Sequence, residues 1–188
     1  MKDFSTKIEL RRSTIILSGF IIAILFSLNI VLVIKNHGFE NARNIEPKVG
    51  MKMSPFLGFN KNGEEVSFEW EKDKRKTLIL VFSPKCGFCN KNMVNWKAIL
   101  NDIDRTKFRP FLVSGITTDV NEYIESYDLE NVPLLFQPEP KLVVEYEMYI
   151  TPQTILLDSN GTVEKNWIGE IQPNQKSEIE QLLNVKLP

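Results

Sequence analysis

Thr77-Leu78-Ile79-Leu80-Val81-Phe82-Ser83-Pro84-Lys85-Cys86-Gly87-Phe88-Cys89 decides how this chain is read. Its first six residues show no polar alternation, the pattern of a strand buried on both faces in a sheet covered by helices. Ser83-Pro84-Lys85 breaks the strand, and beyond Cys86 the period changes. Met93, Trp96, Leu100 and Ile103 recur at helical spacing, so they share one face and pack in the core. Cys86 therefore stands where a strand turns into a helix, and the free N–H groups and positive dipole end of that helix favour a thiolate. Lys85 adds a cation next to it. Cys86 is the expected nucleophile. Cys89, one turn into the helix, is the expected shielded partner, which attacks the Cys86 sulfur of a mixed disulfide and frees the substrate as a dithiol. Gly87 lets a partner's backbone approach, and Phe88 presents an apolar ring beside the reactive sulfur.

The rest of the composition narrows the chemistry. The 188 residues contain two Cys, one His, 23 Lys+Arg and 24 Asp+Glu. Two Cys with two residues between them cannot staple a fold or complete a four-ligand zinc site. Half of an intermolecular zinc site is a weak alternative, because no His lies near. His37 precedes the domain, so His-based triads and His-ligated metals are excluded and no metal is expected. The balanced charge carries no nucleic-acid footprint, and 43% apolar content is too high for a disordered chain.

Outward from the decisive stretch, strands alternate with helices. Phe56-Leu57-Gly58-Phe59 and Val66-Ser67-Phe68 flank Asn60-Lys61-Asn62-Gly63, a hairpin signal. The charged stretch 72–76 reads as a solvated loop. Phe111-Leu112-Val113 is the next strand, followed by a helix over residues 120–127 with Asp119 or Thr118 as N-cap. Leu134-Leu135-Phe136 reads as a short strand and residues 142–146 as a short helix. Thr154-Ile155-Leu156-Leu157 and Thr162-Val163-Glu164-Lys165 are joined by Asp158-Ser159-Asn160-Gly161, a second hairpin signal, and residues 173–183 close the chain as a helix with Ile179, Leu182 and Leu183 inward. Pro152, just before a buried strand, needs an edge or a special turn. The fold class is α/β, a mixed sheet flanked by helices.

The N-terminus is different. Residues 14–34 carry no charge, and as a helix they would be about 30 Å long, the thickness of a hydrocarbon core. Arg11 and Arg12 flank the segment on one side and Lys35 on the other. The expectation is one transmembrane helix in contact with lipid, preceded by a cytoplasmic tail (1–13) and followed by a tether (35–52) and an exported domain (53–188). Lys2, Lys7, Arg11 and Arg12 outnumber Lys35, Arg43 and Lys48, which puts the domain on the periplasmic or extracytoplasmic side. The competing reading is a cleaved signal peptide, but Ile34-Lys35-Asn36-His37 offers no small-residue cleavage pattern, and no Cys follows for lipid attachment.

Strand, Cys86-Gly87-Phe88-Cys89, helix, and then Thr151-Pro152 before Thr154-Ile155-Leu156-Leu157-Asp158 and an Asn-Gly turn together resemble the thioredoxin fold. More narrowly, residues 49–187 resemble the membrane-anchored TlpA/ResA-like thiol-disulfide oxidoreductases. The resemblance implies a redox-active Cys86–Cys89 disulfide with no other cofactor. It implies a cis Pro152 facing the cysteines, with the Thr151 backbone pairing with a substrate strand, and an inserted strand and helix over residues 109–127. It also implies that the domain reduces disulfides of exported client proteins, such as apocytochrome c before haem attachment, and is re-reduced by a membrane electron-donor thiol protein.

Two positions depart from that pattern. Leu80 stands where thioredoxins carry a buried Asp, and Asn92 where ResA-like relatives often carry a Glu. With both proton acceptors missing, Cys89 is left to water or to another carboxylate, and its attack should depend strongly on pH. Three other readings stand beside the reductase. A thiol peroxidase of the peroxiredoxin superfamily is suggested by Ser83, three residues before Cys86, but Ile79 occupies the place of that superfamily's usual Pro. A catalytically inactive thioredoxin-like module would bind a partner through the same groove, and a pair of inert core thiols would do nothing chemical.

Overall fold

The computed structural model describes residues 19–32, 46–70, 73–137, 139–148 and 150–188. Seven strands, β1 (Phe56–Phe59), β2 (Glu65–Phe68), β3 (Lys76–Phe82), β4 (Phe108–Ser114), β5 (Leu134–Phe136), β6 (Gln153–Leu157) and β7 (Val163–Ile168), form one sheet in the order β2-β1-β5-β4-β3-β6-β7. Four helices accompany it: α1 (Gly87–Asp102), α2 (Val120–Ser126), α3 (Glu139–Tyr146) and α4 (Pro173–Leu183).

The apolar run becomes the centre of the sheet. β3 is parallel to β4 on one side and antiparallel to β6 on the other, and every residue from Thr77 to Phe82 is buried. Alternate side chains then feed two cores. Leu78, Leu80 and Phe82 meet Met93, Trp96, Ile99 and Leu100 of α1, while Ile79 and Val81 meet Phe56, Phe111, Leu142 and Tyr146. The Trp96 indole donates a 2.8 Å hydrogen bond to the Thr154 hydroxyl, fastening α1 to β6.

Both expected hairpins form. In the first, the Asn60 side chain accepts from the N–H groups of Asn62 and Glu64, and Gly63 takes φ +79, which the turn requires. This hairpin joins the sheet through β5, with Phe59 opposite Phe136. Tyr146 holds it in place: its hydroxyl accepts from the Leu57 N–H and donates to the Pro55 carbonyl, and its ring lies 4.4 Å from that of Phe56.

Several expectations change. The strand expected at 111–113 is longer and runs beside β3 for seven pairs, so it belongs to the middle of the sheet rather than to an insertion at 109–127; β5 is the strand that reaches out to the hairpin. Asp119 does occupy the N-cap of α2, but at φ +64 and without a capping hydrogen bond from its side chain. Leu182 is half-exposed, whereas Ile179 and Leu183 are buried, because α4 turns only a narrow stripe inward. In the charged stretch Asp73 and Arg75 form a 2.6 Å ion pair, and that guanidinium holds the Asp73 carboxyl down at about 2; Lys72 lies outside the described residues. The domain also starts earlier than residue 53. Gly50 and Met53 donate to the carbonyls of Val163 and Gly161, and Pro47 accepts from the Asn166 side chain, so the end of the expected tether is docked on β7 and its turn.

The chain divides into two units, Met1–Asn44 and Ile45–Pro188. In the first, residues 19–32 are helical and exposed throughout. Among the described residues no helix is long and apolar enough to cross a membrane. The remainder of the expected span, the tail and residues 35–45 lie outside the described residues.

Candidate active site

Cys86 is the N-cap of α1, in extended backbone at φ −91 and ψ 109. Its sulfur accepts a hydrogen bond of 3.2 Å from the Cys89 N–H, the part that Ser or Asp oxygens usually play at this position. The break at Ser83-Pro84-Lys85 is what puts it there: the Cys86 N–H donates back to the Ser83 carbonyl at 3.0 Å, closing the turn before the helix begins. Cys86 is partly exposed and Cys89 is not exposed at all, and both thiols are free.

Burial is the main reason that the Cys89 thiol is pushed up to about 12, with its hydrogen bond to Cys86 raising it further. A proton held that firmly leaves Cys89 inert until the reaction at Cys86 calls on it.

The register of the sheet brings a distant segment to the same place. β6 pairs with β3 so that Gln153 faces Val81, which carries the two residues before β6 to the turn above β3. There the Thr151-Pro152 bond is cis, as the resemblance implied, and the Cys86 thiol donates to the Thr151 carbonyl at 3.5 Å. Pro152 is buried, and its carbonyl accepts from the Gly169 N–H at 2.8 Å. Phe88 is 60% exposed, with the Lys91 ammonium 5.4 Å from its ring centre, so an apolar face stands open beside the sulfur. Cys86, Cys89, Phe88, Thr151 and Pro152 are thus assembled at one end of the sheet. Lys85 is also at this end, but its ammonium lies 3.7 Å from the Asp119 carboxylate, so its charge is shared with the head of α2.

Asn92 proves to be structural. It is fully buried, and its side-chain oxygen accepts from the Ile171 N–H at 3.0 Å, tying α1 to the loop between β7 and α4. Leu80 is core. Neither position brings a carboxylate to Cys89. Tyr123 was not singled out by the sequence: it is buried on α2, and its phenol is pushed up first by burial and then by the charges of Cys89, Tyr127 and Cys86. Its helical spacing with Val120, Ile124 and Tyr127 signalled core and nothing more. Among the described residues no cluster of His, Cys, Asp and Glu is large enough to hold a metal ion.

Residues 49–166 match the AhpC/TSA family. The chain belongs to that family. Sporulation thiol-disulfide oxidoreductase A of Bacillus subtilis (strain 168) is 22% identical over 144 residues, covering 74% of this chain and 86% of that protein. Among solved structures, StoA from Bacillus subtilis superposes with a TM-score of 0.53 at 22% identity, over 66% of this chain and 95% of that one. A peroxiredoxin-like protein from Aquifex aeolicus does so with a TM-score of 0.52 at 15% identity, over 66% of this chain and 78% of that one. The fold of this AhpC/TSA member is thioredoxin-like. With a half-open thiol at a helix N-cap and a sealed one a turn behind it, the enzyme class is thiol-disulfide oxidoreductase.

Proposed function

We propose that this protein reduces disulfides of exported client proteins while anchored to a membrane by the apolar segment at residues 14–34. The observation that carries the reading is the unequal pair: Cys86 open at the head of α1, Cys89 buried behind it.

The client disulfide approaches between Phe88 and Thr151. The Cys86 thiolate attacks one client sulfur, and the other leaves and takes up a proton. Cys89 then loses its proton and attacks the Cys86 sulfur; the bond from Cys86 to the client breaks, and the second client thiol departs, protonated. Two electrons have passed to the client, and the Cys86–Cys89 disulfide remains. A membrane thiol protein returns two electrons. The exported side is oxidising, so a dedicated donor is what such a reductase requires. Apocytochrome c awaiting haem is the class of client suggested by the resemblance to TlpA/ResA-like proteins.

The membrane anchor has its own support. Apart from Ser27 and Asn29, the side chains of the helical residues 19–32 are apolar and exposed, which suits lipid better than water. The two polar side chains near their end donate inward: the Ser27 hydroxyl to the Ala23 carbonyl at 2.9 Å and the Asn29 amide to the Leu25 carbonyl at 3.0 Å. A helix in hydrocarbon has to satisfy its polar groups internally in this way.

In the native cell, Cys89→Ser should trap the client on Cys86 as a mixed disulfide, and recovery of no Cys86-dependent adduct would overturn the reading in favour of a binding module. A redox titration should place the pair below about −200 mV; a value near about −120 mV would make it an oxidant instead. A second reading, thiol peroxidase, is favoured by Ser83 and by the likeness to the Aquifex protein. Hydrogen peroxide turnover that disappears in Cys86→Ser would establish it.

A further inference from the structure

The sheet register lays Phe82, Ser114, Phe136 and Phe59 side by side across β3, β4, β5 and β1. Phe82 is the last residue of β3 before the turn to Cys86, so this row runs sideways from the nucleophile. At its far end an open-sided cavity of about 370 Å³ lies between the first hairpin, the ends of β4 and β5, and α2. Crevices outside the strand ends of such sheets are where ligands are taken. Phe59 and Phe136 line this one, Gly63 and Gly115 bring no side chain into it, and among the described residues Lys61 is its only charged wall. Phe59 is left 41% exposed. The cavity is tied to the active site: Asp119, between the lining residues Thr117 and Asn121, has its carboxylate 3.7 Å from the Lys85 ammonium, next to Cys86. Past Asn60, Lys61 and Asn121, which border both, it runs on into a second cavity of about 610 Å³. Two cavities in series suit a stretch of chain better than a compact small molecule.

We infer that this trough is a client subsite: between Phe59 and Phe136 it takes an aromatic side chain of an extended client segment, a few residues from the cysteine that Cys86 attacks. The inference rests on the disulfide exchange proposed above and deepens it. Neighbouring strands lie about 4.8 Å apart, so β5 and β1 are two and three spacings from β3, about 10 and 14 Å. An extended chain covers that in about three or four residues. The trough lies on the β4 side of β3, whereas the Thr151 carbonyl meets Cys86 from the β6 side. A client held at Thr151 therefore reaches the trough with the residues on one side of its cysteine, not both. Two rings facing one opening favour an aromatic guest, which packs edge-to-face or offset against them. No bond is made or broken here, so the subsite changes how tightly a client is held and leaves the exchange at sulfur as it was.

The test mixes the reduced full-length protein with symmetric disulfides of short Gly/Ser peptides. Each peptide has one cysteine and a single Phe moved stepwise along either side of it, and release of peptide thiol is followed by chromatography after acid quench. The rate should peak about tenfold above that of the Phe-free peptide when Phe is about three or four residues away, on one side only. Phe59→Ala removes one ring, and Thr117→Trp fills the cavity from an exposed loop. Both should abolish the peak, while the rate with the small disulfide dithionitrobenzoate stays within about twofold of the parent's. Should Phe59→Ala loosen the hairpin, Thr117→Trp gives the answer alone. A flat profile in the parent, or a peak that survives Thr117→Trp, would overturn the inference. So would loss of the dithionitrobenzoate rate together with the peak, which marks damage at Cys86, or a parent dimer in light scattering that Thr117→Trp separates, since a second copy would then fill the trough. A parent that reduces neither the peptides nor dithionitrobenzoate refutes the disulfide exchange itself, a result distinct from all of these.

Discussion

The Cys86 sulfur and the Thr151 carbonyl oxygen meet at 3.5 Å across 65 residues of sequence. The first caps a helix, and the second ends the loop before a strand that is antiparallel to the one feeding that helix. A disulfide that reaches Cys86 is therefore laid beside the Thr151 backbone, and the thiol behind it stays buried.

Alkylation should reflect that asymmetry. With its thiol at about 12, Cys89 at pH 8 is ionised in only about one molecule in ten thousand, and it is sealed from solvent as well. Iodoacetamide on the reduced protein should label Cys86 alone, with Cys89 labelled only after unfolding. Peptide mass spectrometry distinguishes the two, and equal labelling in the folded protein would contradict the buried role of Cys89.

Alkaline stability should depend on redox state. An unfolded Cys89 ionises near its ordinary value of 9.0, while the folded one keeps its proton up to about 12. The unfolded state then binds fewer protons above pH 9, so the reduced protein has this contribution in full below pH 9 and loses it progressively as pH rises toward 12. The oxidised protein has no Cys89 thiol to ionise and should escape that part of the loss. Urea midpoints of both forms from about pH 7 to about pH 10 test this, and parallel curves would count against it.

Trp96→Phe removes the indole donor that the Thr154 hydroxyl accepts from and leaves a void between α1 and β6. The orphaned hydroxyl and the lost packing together should cost about 2 to 3 kcal/mol. The denaturant midpoint should fall with an unchanged slope; a loss under about 0.5 kcal/mol would mean that Thr154 finds another partner.

Gly161→Ala should be poorly tolerated. Gly161 has φ +83, and a methyl there would come within 2.2 Å of the Trp70 ring. That ring is 3% exposed and held by its 2.9 Å hydrogen bond to the Met53 carbonyl, so it has nowhere to go. A loss above about 1 kcal/mol is expected. A Cβ on Gly87 meets nothing within 4 Å, so Gly87→Ala serves as the control and should keep the parent's midpoint.

Much of this was legible in the linear order of residues, for reasons that differ along the chain. The run 77–82 and the helical spacing of Met93, Trp96 and Leu100 reveal themselves because each is a local period imposed by one surrounding. The two Asn-Gly turns do so because they need φ values that few residues accept. The central position of β4 and the role of β5 as the link to the hairpin were hidden, because which strand lies beside which depends on contacts far apart in sequence. Leu182 misled for a related reason: the helix period marks a face, but how wide a stripe is covered depends on what packs against it.

The sequence by itself determined that two thiols stand at a strand-to-helix turn, because backbone breakage, dipole and spacing are all local. The tertiary structure alone decided what surrounds them. The pairing of β6 with β3 delivers the Thr151 carbonyl to Cys86, and the packing of α1 seals Cys89 and holds its proton. Reactivity follows from burial and proximity, which are properties of the folded chain as a whole.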